Sequence, residues 1–206
     1  MQIDPNAVHY ADDRIIIKKL SVGPMDNNIY IVIDPTTNAS VIIDAADEAE
    51  LILDAVKGTN VVAIWETHGD WDHIGALDEV VAALKVPVAI HPADASELTQ
   101  PPDIELADGQ TLAVGNLRFT VSHTPGHSPG GVTFYTPGHL IAGDTLFPGG
   151  PGNTKRPGGD FALIVRMIQE KLFALPDETR VYSGHGKDTT IGAERPNLPV
   201  WLARGW

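Results

Sequence analysis

The sequence predicts an α/β fold, an αββα four-layer sandwich in which two sheets pack face to face with helices outside, and three observations carry that expectation. The chain falls into two halves, each running from short β-branched strands into a helix. Turn-forming Gly, Pro, Asn and Asp clusters separate the strands at close spacing, as in antiparallel meanders. The length of 206 residues, 43% hydrophobic and 20% charged, suits one domain spanning 1–206 with a single core.

The elements follow in chain order. Residues 14–18, 28–33 and 40–44 are β-branched runs divided by Gly23-Pro24 and by Asp34-Pro35-Thr36-Thr37, which makes an opening meander. Apolar spacing over 47–56 predicts a helix stopped at Gly58, and the unbroken apolar run 61–65 suits a strand buried on both faces. A second helix over 74–84 places Leu77, Val80, Val81 and Leu84 on one face; a strand at 86–90 then ends at His91-Pro92. Strands at 111–114, 117–122, 131–135 and 139–142 form a second meander, punctuated by Asp108-Gly109, Gly115-Asn116 and Pro137-Gly138. The clearest amphipathic helix covers 160–175, with Phe161, Ile164, Val165, Ile168, Leu172 and Phe173 inward, before a last strand at 180–182. The Gly/Pro-rich stretch 148–159 is a loop at the site, because the chain beyond it is too short for a core of its own. Trp201 and Trp206 mark a docked C-terminal segment.

Composition narrows the function. With no cysteine there is no disulfide, thiolate nucleophile or sulfur-ligated metal, so any metal must be held by His, Asp or Glu. Acidic residues outnumber basic ones 27 to 14, and a net charge of −13 repels phosphate backbones and anionic lipids. The expected partner is therefore a small molecule, neither nucleic acid nor membrane; composition leaves the oligomeric state open. No apolar run approaches the ~20 residues of a bilayer span, and the first residues lack the regions of a signal peptide, which makes the cytoplasm the expected location.

The chemistry concentrates after the buried strand 61–65, in Thr67-His68-Gly69-Asp70-Trp71-Asp72-His73. In an extended backbone His68, Asp70 and Asp72 share a face, and the turn into the next helix swings His73 beside them, as a metal requires. His127, Asp144 and His185 each sit in a glycine turn or just past a strand, in Thr124-Pro125-Gly126-His127, Gly143-Asp144-Thr145 and Gly184-His185-Gly186. This set resembles the metallo-β-lactamase superfamily pattern H-x-H-x-D-H followed by a distant His, a Gly-Asp and a Gly-His. The surroundings of His123 to Gly131, Gly143 to Phe147, Val181 to Gly186 and Thr189 to Arg195 are similar to its glyoxalase II-like branch.

The resemblance implies the metallo-β-lactamase fold and two divalent metal ions. One would be held by His68, Asp70 and His127, the other by Asp72, His73 and His185, with Asp144 bridging; Asp72 would also orient a metal-bridging hydroxide that attacks a thioester or ester. Asp70 departs from the pattern, which has a second histidine there. A third carboxylate is a harder donor and favours iron or manganese over zinc. Two other readings stand beside the hydrolase. One is an iron dioxygenase of the persulfide dioxygenase type on His68, His127 and Asp144; the other is a degenerate, metal-poor binding module. Lys155, Arg156 and Lys187 are candidate substrate clamps, since cations are scarce and these fall beside Asp144 and His185. His123 is a candidate for orienting a ligand or substrate; His91, at the same sheet end as His68, is a candidate for lining the pocket and is expected instead at a capped strand terminus. Trp71 is expected in core packing, and His9 and His139 at the surface.

Overall fold

In the computed structural model, which describes residues 4–205, the strands form two mixed sheets and a small hairpin. The first sheet follows chain order: β1 (Val8–Ala11), β2 (Ile16–Val22), β3 (Asn27–Ile33), β4 (Ala39–Ile43), β5 (Asn60–Trp65), β6 (Val88–Ile90) and β7 (Ile104–Glu105). It is antiparallel from β1 to β4 and parallel from β4 to β7. The change of sense comes from α1 (Ala49–Ala55) and α2 (Leu77–Leu84), which carry the chain back along the sheet between β4, β5 and β6.

The second half supplies β8 (Thr111–Val114), β9 (Leu117–His123), β10 (Val132–Thr136) and β11 (His139–Gly143), an antiparallel meander. A hairpin of β12 (Leu146–Phe147) and β13 (Gly150–Pro151) follows, then α3 (Phe161–Met167). β14 (Arg180–Ser183) joins β11 in parallel, and β15 (Thr189–Thr190) closes that edge. The chain ends in α4 (Ile191–Glu194) and α5 (Leu198–Arg204).

Three apolar layers follow from the period-2 alternation of the strands. Tyr30, Val32, Val41, Ile43 and Trp65 of the first sheet meet Phe119, Val121, Phe134, Ile141 and Tyr182 of the second. The alternate residues Ile29, Ile31, Ile42 and Ile64 face outward against Ile52, Leu77 and Val80 of the helices. On the far side Leu140, Ala142 and Val181 pack beneath Ile164, Ile168, Leu172 and Trp201. All seven residues of β3 are consequently buried, and burial of these layers is the main stabilising term.

Several expectations shift. The helix expected over 74–84 starts at Leu77, because residues 71–76 are held as turns: His73 N–H and Ile74 N–H donate to the Asp70 carbonyl and Ala76 N–H to that of Ala45. The helix expected over 160–175 is α-helical over Phe161–Met167, capped by the Asp160 carboxylate on Leu163 N–H, and widens into a π turn at Ile168–Leu172. His139 is not a surface residue. It is 3% exposed, its Nδ1 bonded to the Tyr182 hydroxyl and its ring edge-on to Tyr10, because β11 begins between two aromatic neighbours. His9 is exposed and paired with Asp188. Trp201 docks as expected, whereas Trp206 lies outside the described residues. Among the described residues no helix is long and apolar enough to cross a membrane.

Candidate metal centre

The segments that follow β4, β5, β9, β11 and β14 open at one edge of the sandwich. There the chain assembles His68, Asp70, Asp72, His73, His127, Asp144 and His185. Two groups emerge. Asp72 Oδ2, His73 Nε2 and His185 Nε2 lie at mutual distances of 3.2 to 3.8 Å (His73–His185 3.2 Å, His185–Asp72 3.5 Å, His73–Asp72 3.8 Å), and Asp144 flanks them with Oδ1 3.5 Å from His73 and Oδ2 3.5 Å from His185. Ligands each about 2.1 Å from one tetrahedral ion stand roughly 3.4 Å apart, so this group has the size of a metal cage. The other group holds His68, His127 and Asp144, with Asp70 Oδ2 3.5 Å from His68 Nε2 and 3.1 Å from His127 Nε2. Asp144 reaches both, its Oδ2 being 3.5 Å from His127 Nε2 and from His185 Nε2.

The orientation of the four imidazoles matters most. Each Nδ1 faces an outer acceptor: Thr67 Oγ1 for His68 (2.9 Å), Asp44 Oδ2 for His73 (2.9 Å), the Asn153 carbonyl for His127 (2.7 Å) and the Met25 carbonyl for His185 (2.8 Å). The Thr67 hydroxyl donates to Asp44, so His68 Nδ1 must be the donor in its own bond. With Nδ1 protonated, every Nε2 turns a lone pair inward, the tautomer that a metal ligand needs. His73 Nε2 and His185 Nε2 then face each other at 3.2 Å, which is repulsive unless a cation or a proton lies between them. His68 Nε2 and Asp144 Oδ1 are buried with no hydrogen-bond partner. The donor set therefore fits a divalent cation.

The ionisation of the cluster points the same way. Burial pushes His68 down to about 3 and keeps it neutral. Burial also opposes charge on His73, yet the Asp144 and Asp44 carboxylates outweigh it and hold this ring up to about 9. His185 is likewise raised, Asp144 overcoming burial. Asp144 stays well below the usual carboxylate range, because His73 and the neighbouring imidazoles outweigh its desolvation. Without metal, the carboxylates thus favour protons on His73 and His185.

The residues that hold the ligands were mostly not legible in the sequence. Asp44, at φ 61°, accepts from Thr67 N–H and Oγ1 and from His73, and so sets two ligands at once. Asn27 Nδ2 donates to the carbonyl and to Oδ2 of Asp72, both at 2.9 Å. Buried Asp94 accepts from Gly69 N–H and Gly130 N–H, tying the His68 loop to the His127 loop. Gly184 approaches the centre so closely that a Cβ there would lie 2.1 Å from Asp144 Oδ1.

The candidate substrate residues separate. Arg156 enters the centre: its guanidinium pairs with Asp70 and donates to His127 Nε2 at 3.0 Å. Lys155 and Lys187 are exposed. His123 supports the fold of its own loop by donating from Nε2 to the Pro129 carbonyl, and it stacks on His91 with 3.9 Å between ring centroids. His91 caps the next turn as expected, accepting from Ala93 N–H. Trp71 is not a core residue; it is 73% exposed, because the turn after Asp70 points it out of the sandwich beside Asp72.

The αββα layers and the His/Asp cluster at their common edge define a metallo-hydrolase class of protein. The chain belongs to the metallo-β-lactamase superfamily, whose sequence profile matches residues 22–185. It is 36% identical over 201 residues to the probable metallo-hydrolase YqgX of Bacillus subtilis, covering 88% of this chain and 95% of that protein. It is 32% identical over 160 residues to the hydroxyacylglutathione hydrolase GloC of Haemophilus influenzae, covering 68% and 76%. Among solved structures, the BLEG-1 B3 metallo-β-lactamase superposes with a TM-score of 0.84 at 34% identity, covering 89% of this chain and 98% of that one. TTHA1623 in a di-iron-bound form superposes with a TM-score of 0.78 at 35% identity, covering 89% and 99%. The glyoxalase II-like resemblance and the fold class agree with these likenesses.

Proposed function

We infer that this protein is a metal-dependent hydrolase of a small thioester or ester. The observation that carries the reading is the inward Nε2 of each of four histidines, whose Nδ1 atoms all face outer partners, surrounded by Asp70, Asp72 and Asp144. The likeness to GloC, named as a hydroxyacylglutathione hydrolase, favours a thioester over other acyl compounds. His68, Asp70, Asp72, His73, His127, Asp144 and His185 are the residues that would hold metal; zinc, iron and manganese all suit a set of imidazole and carboxylate donors. A divalent ion bound there would supply Lewis-acid polarisation of the acyl oxygen and an acidified water.

The chain contributes the rest. Asp72, pinned by Asn27, presents a carboxylate 3.5 Å from His185 and is placed to accept a proton from the attacking water. A groove of about 160 Å³ runs beside it, lined by Pro24, Met25, Asn27 and Trp71. The exposed Trp71 and Met25, with Phe147 against the His185 ring, offer apolar surface for the acyl or thiol portion of the substrate.

Hydroxyacyl thioesters and simple aryl esters, assayed with zinc-, iron- and manganese-loaded protein, test the reading. Hydrolysis is expected with at least one metal, with loss after chelation and in His185→Ala. Oxygen uptake on a thiol persulfide without any acyl hydrolysis would replace this reading by the dioxygenase.

A further inference from the structure

The Asp70–Arg156 pair lies inside the candidate centre rather than on its surface. Arg156 Nη1 pairs with Asp70 Oδ2 and donates to His127 Nε2, and these are two of the groups that would close around an ion with His68. His127 is held by the 153–156 stretch at both ends of its ring, Nδ1 by the Asn153 carbonyl and Nε2 by Arg156. Its inward lone pair already has a cationic partner. We propose that the Arg156 guanidinium is a built-in cation standing in the position of one metal ion, so that the protein loads a single divalent ion, in the cage of Asp72, His73, His185 and Asp144. This rests on the metal-centre reading above and narrows it.

Charge supports the assignment. Among the candidate ligands Asp70, Asp72 and Asp144 contribute three negative charges, which one dication and one guanidinium match with neutral imidazoles, while Asp44 behind His73 adds a fourth negative charge. Two dications with the guanidinium in place would leave those ligands with two excess positive charges, of which Asp44 offsets only one, within a few ångströms in a mostly buried site. Asp70 and Arg156 thus make a self-consistent pair: the carboxylate at the position where the superfamily pattern has histidine recruits the guanidinium, and the guanidinium satisfies both the carboxylate and His127. An arginine is a fixed charge with N–H donors and no Lewis acidity, so it can hold an anionic substrate oxygen but cannot acidify water. The same pairing takes His127 out of the His68, His127 and Asp144 triad that a mononuclear iron dioxygenase would use.

Metal titration of the chelator-stripped protein tests this, read by calorimetry and by elemental analysis after desalting. The wild type is expected to retain one equivalent of zinc or manganese per chain, and Arg156→Leu two. Arg156→Lys keeps the charge and should stay at one. Location is read from single-ligand variants: His68→Ala should keep the one equivalent and His185→Ala should lose it. Two tight equivalents in the wild type, unchanged in Arg156→Leu, would overturn the inference while leaving the metal centre intact. One equivalent that His68→Ala abolishes and His185→Ala keeps would overturn it equally. No metal in either the wild type or Arg156→Leu would overturn the metal-centre reading and this inference with it.

Discussion

Asp44 holds the orientation of two metal-facing imidazoles, His73 directly and His68 through Thr67 Oγ1. Asn is the informative replacement, because it tolerates the left-handed conformation that Asp44 adopts at φ 61° while removing the charge. Asp44→Asn is expected to keep the fold and weaken metal binding by about 10- to 100-fold, the usual cost of losing an outer partner. Competition against a chelating dye measures it, and unaltered affinity would show that the loop alone fixes the ligands. Protons give an independent reading of the same site. In the metal-free protein His73 is raised from 6.5 to about 9, so near neutral pH an entering ion must displace its proton. About one proton per metal is expected to be released at this group, with apparent affinity rising about tenfold per pH unit until it levels near pH 9. The sign for stability follows: a raised pKa stabilises the metal-free fold below pH 6.5, and that contribution is lost as pH climbs through about 9. Calorimetry in buffers of differing ionisation enthalpy counts the protons. The seven candidate ligand positions that the structure brings together were legible because each is local, lying beside a strand end or a glycine. Asp44 and Asn27 were not, since partners 23 to 45 residues away give them their roles, and Arg156 was legible only as a substrate candidate, because its pairing with Asp70 comes from a loop of the other half.

β14 and its following turn show how an element end sets the site. Gly184 N–H donates to the Gly143 carbonyl, which draws the ends of β14 and β11 together until no side chain fits between Gly184 and Asp144. Gly184→Ala is therefore expected to lose metal binding, since a Cβ would stand 2.1 Å from Asp144 Oδ1 and 2.9 Å from His73 Cε1. Gly58→Ala is the control: at φ 81° with open space around it, it should cost about 1 kcal/mol of stability and no metal. Metal per chain after desalting separates the two, and full loading in Gly184→Ala would mean that the β14 end can move. α5 gives a second case. Trp201 is 1% exposed beneath Phe173, yet its indole N–H has no partner, so its value is apolar packing alone. Trp201→Ala is expected to cost about 3–5 kcal/mol and Trp201→Phe much less, measured by denaturant unfolding. Equal losses in the two would instead assign the indole N–H a role. Turn chemistry made the second meander legible, because Asp108-Gly109 and Pro137-Gly138 bound its strands. β1 was missed because its side chains are mostly exposed and carry no apolar alternation, and β15, α4 and α5 because each is short and packs through a few residues only.

At the scale of the molecule the candidate centre is a cross-link between the two sheets. His68, Asp70, Asp72 and His73 follow β5 of the first sheet, whereas His127, Asp144 and His185 follow β9, β11 and β14 of the second. The sheets already meet at this edge without metal: Asn28 N–H donates to the Gly184 carbonyl at 2.7 Å, and the Tyr30 hydroxyl and Asn28 Nδ2 both donate to that of Ser183. The fold should accordingly survive chelation, with metal adding to a preformed edge instead of creating it. The gain is mass action on the native state, about 2.7 kcal/mol when free metal is 100-fold above its dissociation constant. For a chain of this size that corresponds to a rise of roughly 5–10 °C in Tm, at about 2–4 °C per kcal/mol. The shift should track metal concentration in the wild type and be absent in His185→Ala, whose metal-free Tm should match that of the chelated wild type to within a few degrees. A chelated protein that unfolds altogether would show that the sheets need the ion to assemble. A loaded protein with unchanged Tm would mean that the ion binds the unfolded chain as tightly as the folded one, and that the fold offers no preformed centre.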